Sequence, residues 1–541
     1  MRSGAKVALV GGVFAVMVGG AGIGAWNLLN GVAGGVDSGD GGPPATKSGP
    51  PSAAEVRETA ATFLAAWEKG SATDAASYTN YADEAQKALD AYRTDGRITE
   101  VKLAPGKADG AKVPFSVTAT VTYKKHSKTF SYDSELTVVR GKQSGRPLVD
   151  WEPSVLHPNL GEGDALQAGE APAPPVRALD RSGAELTEKK YPSLGPVLDS
   201  LRERYADKLD GTPGVELWIE RAGEGAADET LLTLAKGRPG ELRTTLSAGA
   251  QAAAERAVAR HPESSVVAVK PSTGEILAVA NHRADGFNAA FQGAMAPGST
   301  MKMVSAALLI DKGLTSASGK APCPDKAVWQ SQQFGNLTGL TADEDATLAD
   351  SFARSCNTAF VKFADDLQVD DLTNEARRYF GIGADWKAGV ITLDGNVPAS
   401  GGPDTAAALI GQGQVQMNPL NLASVAATIR NGAFRQPVVV PQRLDNRQLA
   451  TAEPLVGSTA AQLRQMMRHT ALSGTGRAAM AGLGPDVGAK TGSADVAGQD
   501  RPNSWFAGYR GDIAAAALAQ EGGHGGDTAG PIVAEVLRAG G

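Results

Sequence analysis

Apolar residues change their spacing several times along the chain, and each change marks a predicted element. Val7–Trp26 is a run of 20 uncharged, mostly apolar residues preceded by Arg2 and Lys6. About 20 such residues span a bilayer core as a helix. Basic residues ahead of the run keep the start of the chain cytoplasmic. The run is longer than the apolar core of a cleaved signal peptide. It therefore predicts a single-pass signal anchor, with the bulk of the chain extracytoplasmic, although its many glycines lower helix propensity. Gly31–Ser52 follows with Gly, Pro, Ser and Asp and almost no large apolar residue. Such a composition cannot bury a core and predicts a tether.

From Ala53 the pattern turns helical. Val56, Ala60, Phe63, Leu64 and Trp67 recur at helical spacing, and Ala85, Leu89 and Tyr92 predict another helix. The period then falls to two. Val113, Phe115, Val117, Ala119, Val121 and Tyr123 alternate with polar residues, and Phe130, Tyr132, Leu136 and Val138 continue after a turn. That predicts an antiparallel sheet with one buried face. Gly161–Pro175 is a second linker, and Val176–Leu242 a short segment of its own. The last domain starts near Thr244. Ser247 can cap a helix through Arg260. Ser265–Ala280 predicts a hairpin around Pro271-Ser272-Thr273-Gly274. Trp505–Tyr509 and Ile513–Leu518 predict two more strands, and Pro531–Leu537 a closing helix. Strands from both ends of one segment, with helices between, predict a single sheet assembled from distant parts. The fold class is thus multidomain α+β.

Composition narrows the chemistry. At 541 residues there is room for about three domains of ~150 residues each. The net charge of −7 is spread out, so no nucleic-acid footprint is indicated. The two cysteines form no CxxC and the six histidines are scattered singly, which predicts no metal site. An external location permits a disulfide between Cys323 and Cys356, but sequence leaves their distance open.

Three short motifs stand in order in the last domain: Ser299-Thr300-Met301-Lys302, Ser355-Cys356-Asn357 and Lys490-Thr491-Gly492-Ser493. Pro297-Gly298 stops what precedes, so Ser299 is expected at a helix N-terminus, with Lys302 beside it three residues on. A serine needs a base to become a nucleophile, and a lysine can be that base only if burial lowers its pKa. Ser355 and Asn357 are expected to point the same way from an extended turn. Lys490 is expected at a strand start, where glycine admits another backbone and an extended peptide can add as a strand. Taken singly, each motif is better explained by a helix cap, an ordinary loop or a surface strand. A second SxxK, Ser3 to Lys6, lies at the cytoplasmic end of the predicted anchor.

Together, the motifs match the SxxK, SxN and KTG set of penicillin-binding proteins and β-lactamases. With Gly411-Gln412-Gly413, Met417-Asn418-Pro419 and Trp505–Tyr509, the chain resembles a class B penicillin-binding protein from Ala53 to Gly541. The helices and sheet before Leu160, with the exit Trp151–Pro158, resemble the NTF2-like cone at the start of some members, read here as a scaffold. Arg177–Gly183 resembles the start of their pedestal region, in reduced form. The resemblance implies residues 1–30 as cytoplasmic start and transmembrane anchor and 31–52 as linker. It implies 53–160 as an NTF2-like domain, 161–243 as linker and reduced pedestal, and 244–541 as a penicillin-binding transpeptidase domain with a central antiparallel sheet.

It further implies a peptidoglycan D,D-transpeptidase without cofactor. Ser299 would attack the penultimate D-Ala of a stem peptide, Lys302 would take its proton, and Ser355 with Lys490 would return one to the leaving D-Ala. Backbone N–H groups of Ser299 and Ser493 would form the oxyanion hole. Thr491, Gly492 and Ser493 would bind the terminal carboxylate, and Asn357 the donor peptide. A neighbouring stem's amine would be the acceptor, β-lactams would acylate Ser299, and cell-wall synthesis proteins are candidate partners. Ser493 stands where threonine is common, which predicts altered β-lactam affinity with the chemistry retained. The alternatives are a D,D-carboxypeptidase or serine β-lactamase using the same site, and a non-catalytic β-lactam sensor. A sensor would need a cytoplasmic signalling portion, for which about six residues precede the anchor. A protein with its own glycosyltransferase would need more length before the transpeptidase domain.

Overall fold

A computed structural model describes residues 48–223 and 225–540. The Val7–Trp26 anchor and most of the Gly31–Ser52 tether lie outside the described residues. Among those described, no helix is long and apolar enough to cross a membrane. The described chain divides into two compact units, the first holding residues 48–94, 100–119 and 131–164.

In the first unit, Ser52 caps the helix Ala53–Lys69 through a capping box with Glu55, which satisfies orphan N–H groups at its start. The expected second helix runs Ala82–Thr94. Strands Ile98–Pro105, Lys112–Tyr123, His126–Arg140 and Pro147–Asp150 form a four-stranded sheet in chain order. Val113, Phe115, Val117, Ala119 and Val121 are buried and their neighbours face out, as the period of two requires. Trp67 packs edge-on against Tyr92 and Phe115, with ring centroids 5.4 and 5.9 Å away.

The second unit opens with two small sheets. Ala165–Glu170, Val215–Glu220 and Glu229–Ala235 pair antiparallel, which corrects the expected Gly161–Pro175 linker: its Leu166 and Ala168 are buried in a paired strand. Arg177–Leu179 lies between Glu185–Leu186 and the parallel strand Glu241–Arg243. The Asp180 carboxylate accepts N–H bonds from Ser182, Ala184 and Ala248.

The main sheet has five antiparallel strands in the order Ile276–His282, Ser264–Val269, Ile513–Ala519, Asn503–Arg510, Val487–Ala494. The hairpin near the start of the domain and the strands at its end therefore meet, as the pattern predicts. Alternate residues of Ser264–Val269 belong to different cores. Val266 and Ala268 join helices Ala248–Val258 and Ala529–Ala539, whereas Val267 and Val269 join helix Pro419–Asn431. Burial on both faces accounts for strands such as Ile513–Ala519 that are apolar throughout. Val487–Ala494, which carries Lys490, is left at the sheet edge.

Cys323 and Cys356 are joined by a disulfide with Cα atoms 6.1 Å apart, and both are fully buried. The bridge closes 33 residues, so loop entropy predicts a contribution of about 3–4 kcal/mol. Denaturant unfolding of the Cys323→Ser/Cys356→Ser double variant should show a loss near that size. An unchanged midpoint, or two free thiols in unreduced protein, would contradict the bridge.

Candidate active site

The turn that holds Ser299 is shaped by glycines on three sides. Gly298 has φ +53° and donates its N–H to the Gly411 carbonyl at 2.9 Å. A Cβ on Gly411, itself at φ +74°, would lie 2.0 Å from the Gly298 oxygen. A Cβ on Gly492 would lie 2.9 Å from the Pro297 oxygen. Both contacts are closer than any side chain allows. The Gly411-Gln412-Gly413 loop and the Lys490 strand thus press on opposite parts of one turn. Gly298–Met301 is a 3-10 turn, and the α-helix Lys302–Asp311 begins after it. Ser299 therefore stands one turn ahead of the helix expected to start with it.

Lys302 is 0% exposed. Its Nζ lies 2.9 Å from Ser299 Oγ and donates to the Ser355 carbonyl at 2.8 Å and to Asn357 Oδ1 at 2.7 Å. Lys490 is also 0% exposed. Its Nζ donates to Ser355 Oγ and to the Thr491 carbonyl, both at 2.8 Å. The Lys490 motif sits in mid-strand, since the strand starts at Val487. It is buried against the Ser299 turn, which corrects the expected strand start.

No carboxylate contributes to the titration of either lysine. Burial, and then the neighbouring Lys490 charge, hold Lys302 well below the ordinary lysine value. Burial pulls Lys490 down to about 7. An ammonium in such surroundings loses its hydration without gaining a counter-ion. Phe360 and Phe352 rings lie 5.5 and 5.4 Å from Nζ of Lys302 and Lys490. Both rings lie within cation–π range of the charged form.

The Ser355 motif departs from the expected extended turn. Ser355 has φ +61°, an uncommon left-handed conformation for serine. It divides two short helices, Leu348–Ala353 and Asn357–Val361. The reversal sends the Ser355 side chain to Lys490 and its carbonyl to Lys302. Asn336 holds the next residues, its Oδ1 accepting from Asn357 N at 2.8 Å and Thr358 N at 3.1 Å. Cys356, between Ser355 and Asn357, is anchored by the disulfide.

Ser299, Lys302, Ser355, Asn357 and Lys490 are therefore brought together. Thr491, Gly492 and Ser493 line a cavity of 330 Å³ with Ser355, Thr475 and the 524–527 segment. A groove of 620 Å³ around Arg430, Arg464 and Arg468 contains none of the motif residues. Sequence reading missed Asn336 and Thr475. Each is a lone polar residue in a loop, with no pattern to signal it. No group of acidic, histidine or cysteine residues among those described could hold a metal.

The model of the penicillin binding protein transpeptidase domain matches residues 264–538, half of the chain. The chain belongs to that family. An NTF2-like N-terminal transpeptidase domain model matches residues 55–164. The chain is 29% identical to peptidoglycan D,D-transpeptidase PbpA of Mycolicibacterium smegmatis, over 56% of this chain and 74% of that one. It is 25% identical to penicillin-binding protein 3 of Bacillus subtilis, over 62% of this chain and 55% of that one. Among solved structures, the D,D-transpeptidase domain of a peptidoglycan glycosyltransferase from Eggerthella lenta has a similar fold, at TM-score 0.53 and 20% identity. The match covers 68% of this chain and 98% of that one.

Gly411→Ala forces the Ser299 turn to move. Misplacement of a reacting group by about 1 Å can cost on the order of 10²-fold. Covalent labelling by penicillin should slow by about that factor, with helical content retained. An unchanged labelling rate would show that this contact does not position Ser299.

Proposed function

We propose that the chain is a peptidoglycan D,D-transpeptidase that works through an acyl-enzyme on Ser299. The observation that carries this reading is the contact set of Lys302. A neutral amine has two N–H groups and one lone pair. Two of its three neighbours, the Ser355 carbonyl and Asn357 Oδ1, can only accept. They take both N–H groups. The lone pair is left for the third neighbour, the Ser299 hydroxyl at 2.9 Å, which is nearer than that hydroxyl's other acceptor, Asn357 Oδ1 at 3.3 Å. The lysine is thus oriented as a base, and its lowered pKa supplies the neutral form.

Ser299 then attacks the carbonyl of the penultimate D-Ala while Lys302 takes its proton. The backbone N–H groups of Ser299 and Ser493 receive the developing oxyanion. Ser355 returns a proton to the leaving D-Ala and takes one from Lys490 across their 2.8 Å hydrogen bond. The hydroxyls of Thr491 and Ser493, beside Gly492, receive the terminal carboxylate. Asn357 spends one Nδ2 hydrogen on the Gly335 carbonyl and keeps the other for the donor peptide. An amine of a second stem peptide resolves the acyl-enzyme. β-Lactams acylate the same serine, and serine at position 493 tunes their affinity.

We assign residues 1–30 as cytoplasmic start and membrane anchor, and 31–52 as tether. Residues 53–160, 161–243 and 244–541 are the NTF2-like domain, the linker with reduced pedestal, and the transpeptidase domain. The enzyme works outside the membrane, with cell-wall synthesis proteins as candidate partners.

Fluorescent penicillin should label the wild type and not Ser299→Ala; persistent labelling would move the nucleophile elsewhere. With a D-Ala-D-Ala pentapeptide, addition of an amine acceptor should give cross-linked product. Hydrolysis alone would favour a carboxypeptidase or β-lactamase, and absence of turnover a sensor.

The second-order acylation constant should follow a bell. It rises with pH as Lys302 becomes neutral and falls above about 7 as Lys490 loses its proton. A rate that climbs unchecked through pH 9 would contradict the role given to Lys490.

A further inference from the structure

Thr475 links two of the three motifs, and neither the motifs nor the family match assigns it a part. It follows the helix Gly457–Leu472. Its backbone is fixed, since its N–H donates to the Ala353 carbonyl at 3.0 Å. A Cβ on the preceding Gly474 would lie 2.5 Å from that same carbonyl oxygen. Ala353 ends the helix two residues before Ser355. On the other side, Thr475 Oγ1 lies 2.6 Å from Thr491 Oγ1, beside Lys490.

The two threonine hydroxyls carry one proton each, which leaves two arrangements. In the first, Thr491 donates to Thr475, and Thr475 donates onward to the Ala353 carbonyl at 3.2 Å. Thr491 then has no proton to offer a ligand. In the second, both hydroxyls rotate. Thr475 donates to Thr491, and the Thr491 proton is free for an anion in the cavity that both residues line. The rotation costs little at Ala353, whose carbonyl keeps the Thr475 N–H.

We propose that Thr475 is a positioning residue that directs the Thr491 proton to the donor's terminal carboxylate and makes recognition depend on a free carboxylate. This rests on reading Thr491 as the carboxylate-binding residue. The other charged or titratable groups lining the cavity are Arg354, His524 and Asp527. Arg354 is engaged by Asp343 and by the Thr341 carbonyl. An acceptor that must take a donated proton from Thr475 gives Thr491 a defined direction that a lone hydroxyl lacks.

The test compares wild type, Thr475→Val, Thr475→Ser and His524→Gln in acylation by benzylpenicillin and by its methyl ester. Loss of one hydrogen bond of about 1 kcal/mol corresponds to about fivefold. Thr475→Val should lower the second-order constant for the free acid by about that factor, through weaker binding, with the limiting acylation rate kept. The ester, whose carbonyl accepts only an uncharged and weaker hydrogen bond, should lose clearly less, and Thr475→Ser should restore the wild-type constant.

Equal losses for acid and ester would mean a structural role only and overturn the proposal. So would no change in Thr475→Val, or an acid-selective loss confined to His524→Gln. Absence of Ser299-dependent acylation in the wild type would remove the carboxylate subsite itself, and the proposal with it.

Discussion

The site depends on two lysines buried without a counter-ion. A carboxylate beside Lys302 would hold its proton and bar it from acting as the base proposed here. The protein instead surrounds Nζ with a backbone carbonyl, an amide oxygen and one hydroxyl. These neutral acceptors satisfy the amine without stabilising the ammonium as a charge partner would. Lys490, nearby and also buried, lowers Lys302 further. Both lysines reach the SxN motif through one residue, because Ser355 offers its carbonyl to Lys302 and its hydroxyl to Lys490.

That arrangement requires tight backbone geometry, and the fold supplies it from distant parts of the chain. Gly298, Gly411 and Gly492 let three segments meet where side chains would collide. Ser355 stays left-handed because the short helices on either side, Asn336 and the Cys323–Cys356 bridge fix its neighbours. The five-stranded sheet, buried on both faces, presents the Lys490 strand at its edge. Rigid elements thus set each functional side chain, which is what small catalytic distances need.

Much of the fold was legible in the chain. The period of two in 113–121, the Ser247 cap and the Ser265–Ala280 hairpin all follow from local chemistry. Proximity of Ser299 and Lys302 was legible too, because three residues make nearly one helical turn. The meeting of the three motifs was legible through family resemblance, since nothing local joins position 302 to 355 or 490. The left-handed Ser355 was not legible, because serine carries no signal for it, and an extended turn was the natural expectation. The disulfide needed a distance between residues far apart in sequence. Thr475 had only a short loop between two helices to mark it, and its significance lies in one contact to Thr491.

The central claim is that Lys302 is a neutral amine in the resting enzyme. Nuclear magnetic resonance of lysine labelled with 13C at Cε reads this directly, with the Lys302 signal assigned by its loss in Lys302→Met. The expected Cε shift is that of an uncharged amine at pH 8, with a titration well below the ordinary lysine range. A signal that stays that of an ammonium until about pH 10 would contradict it.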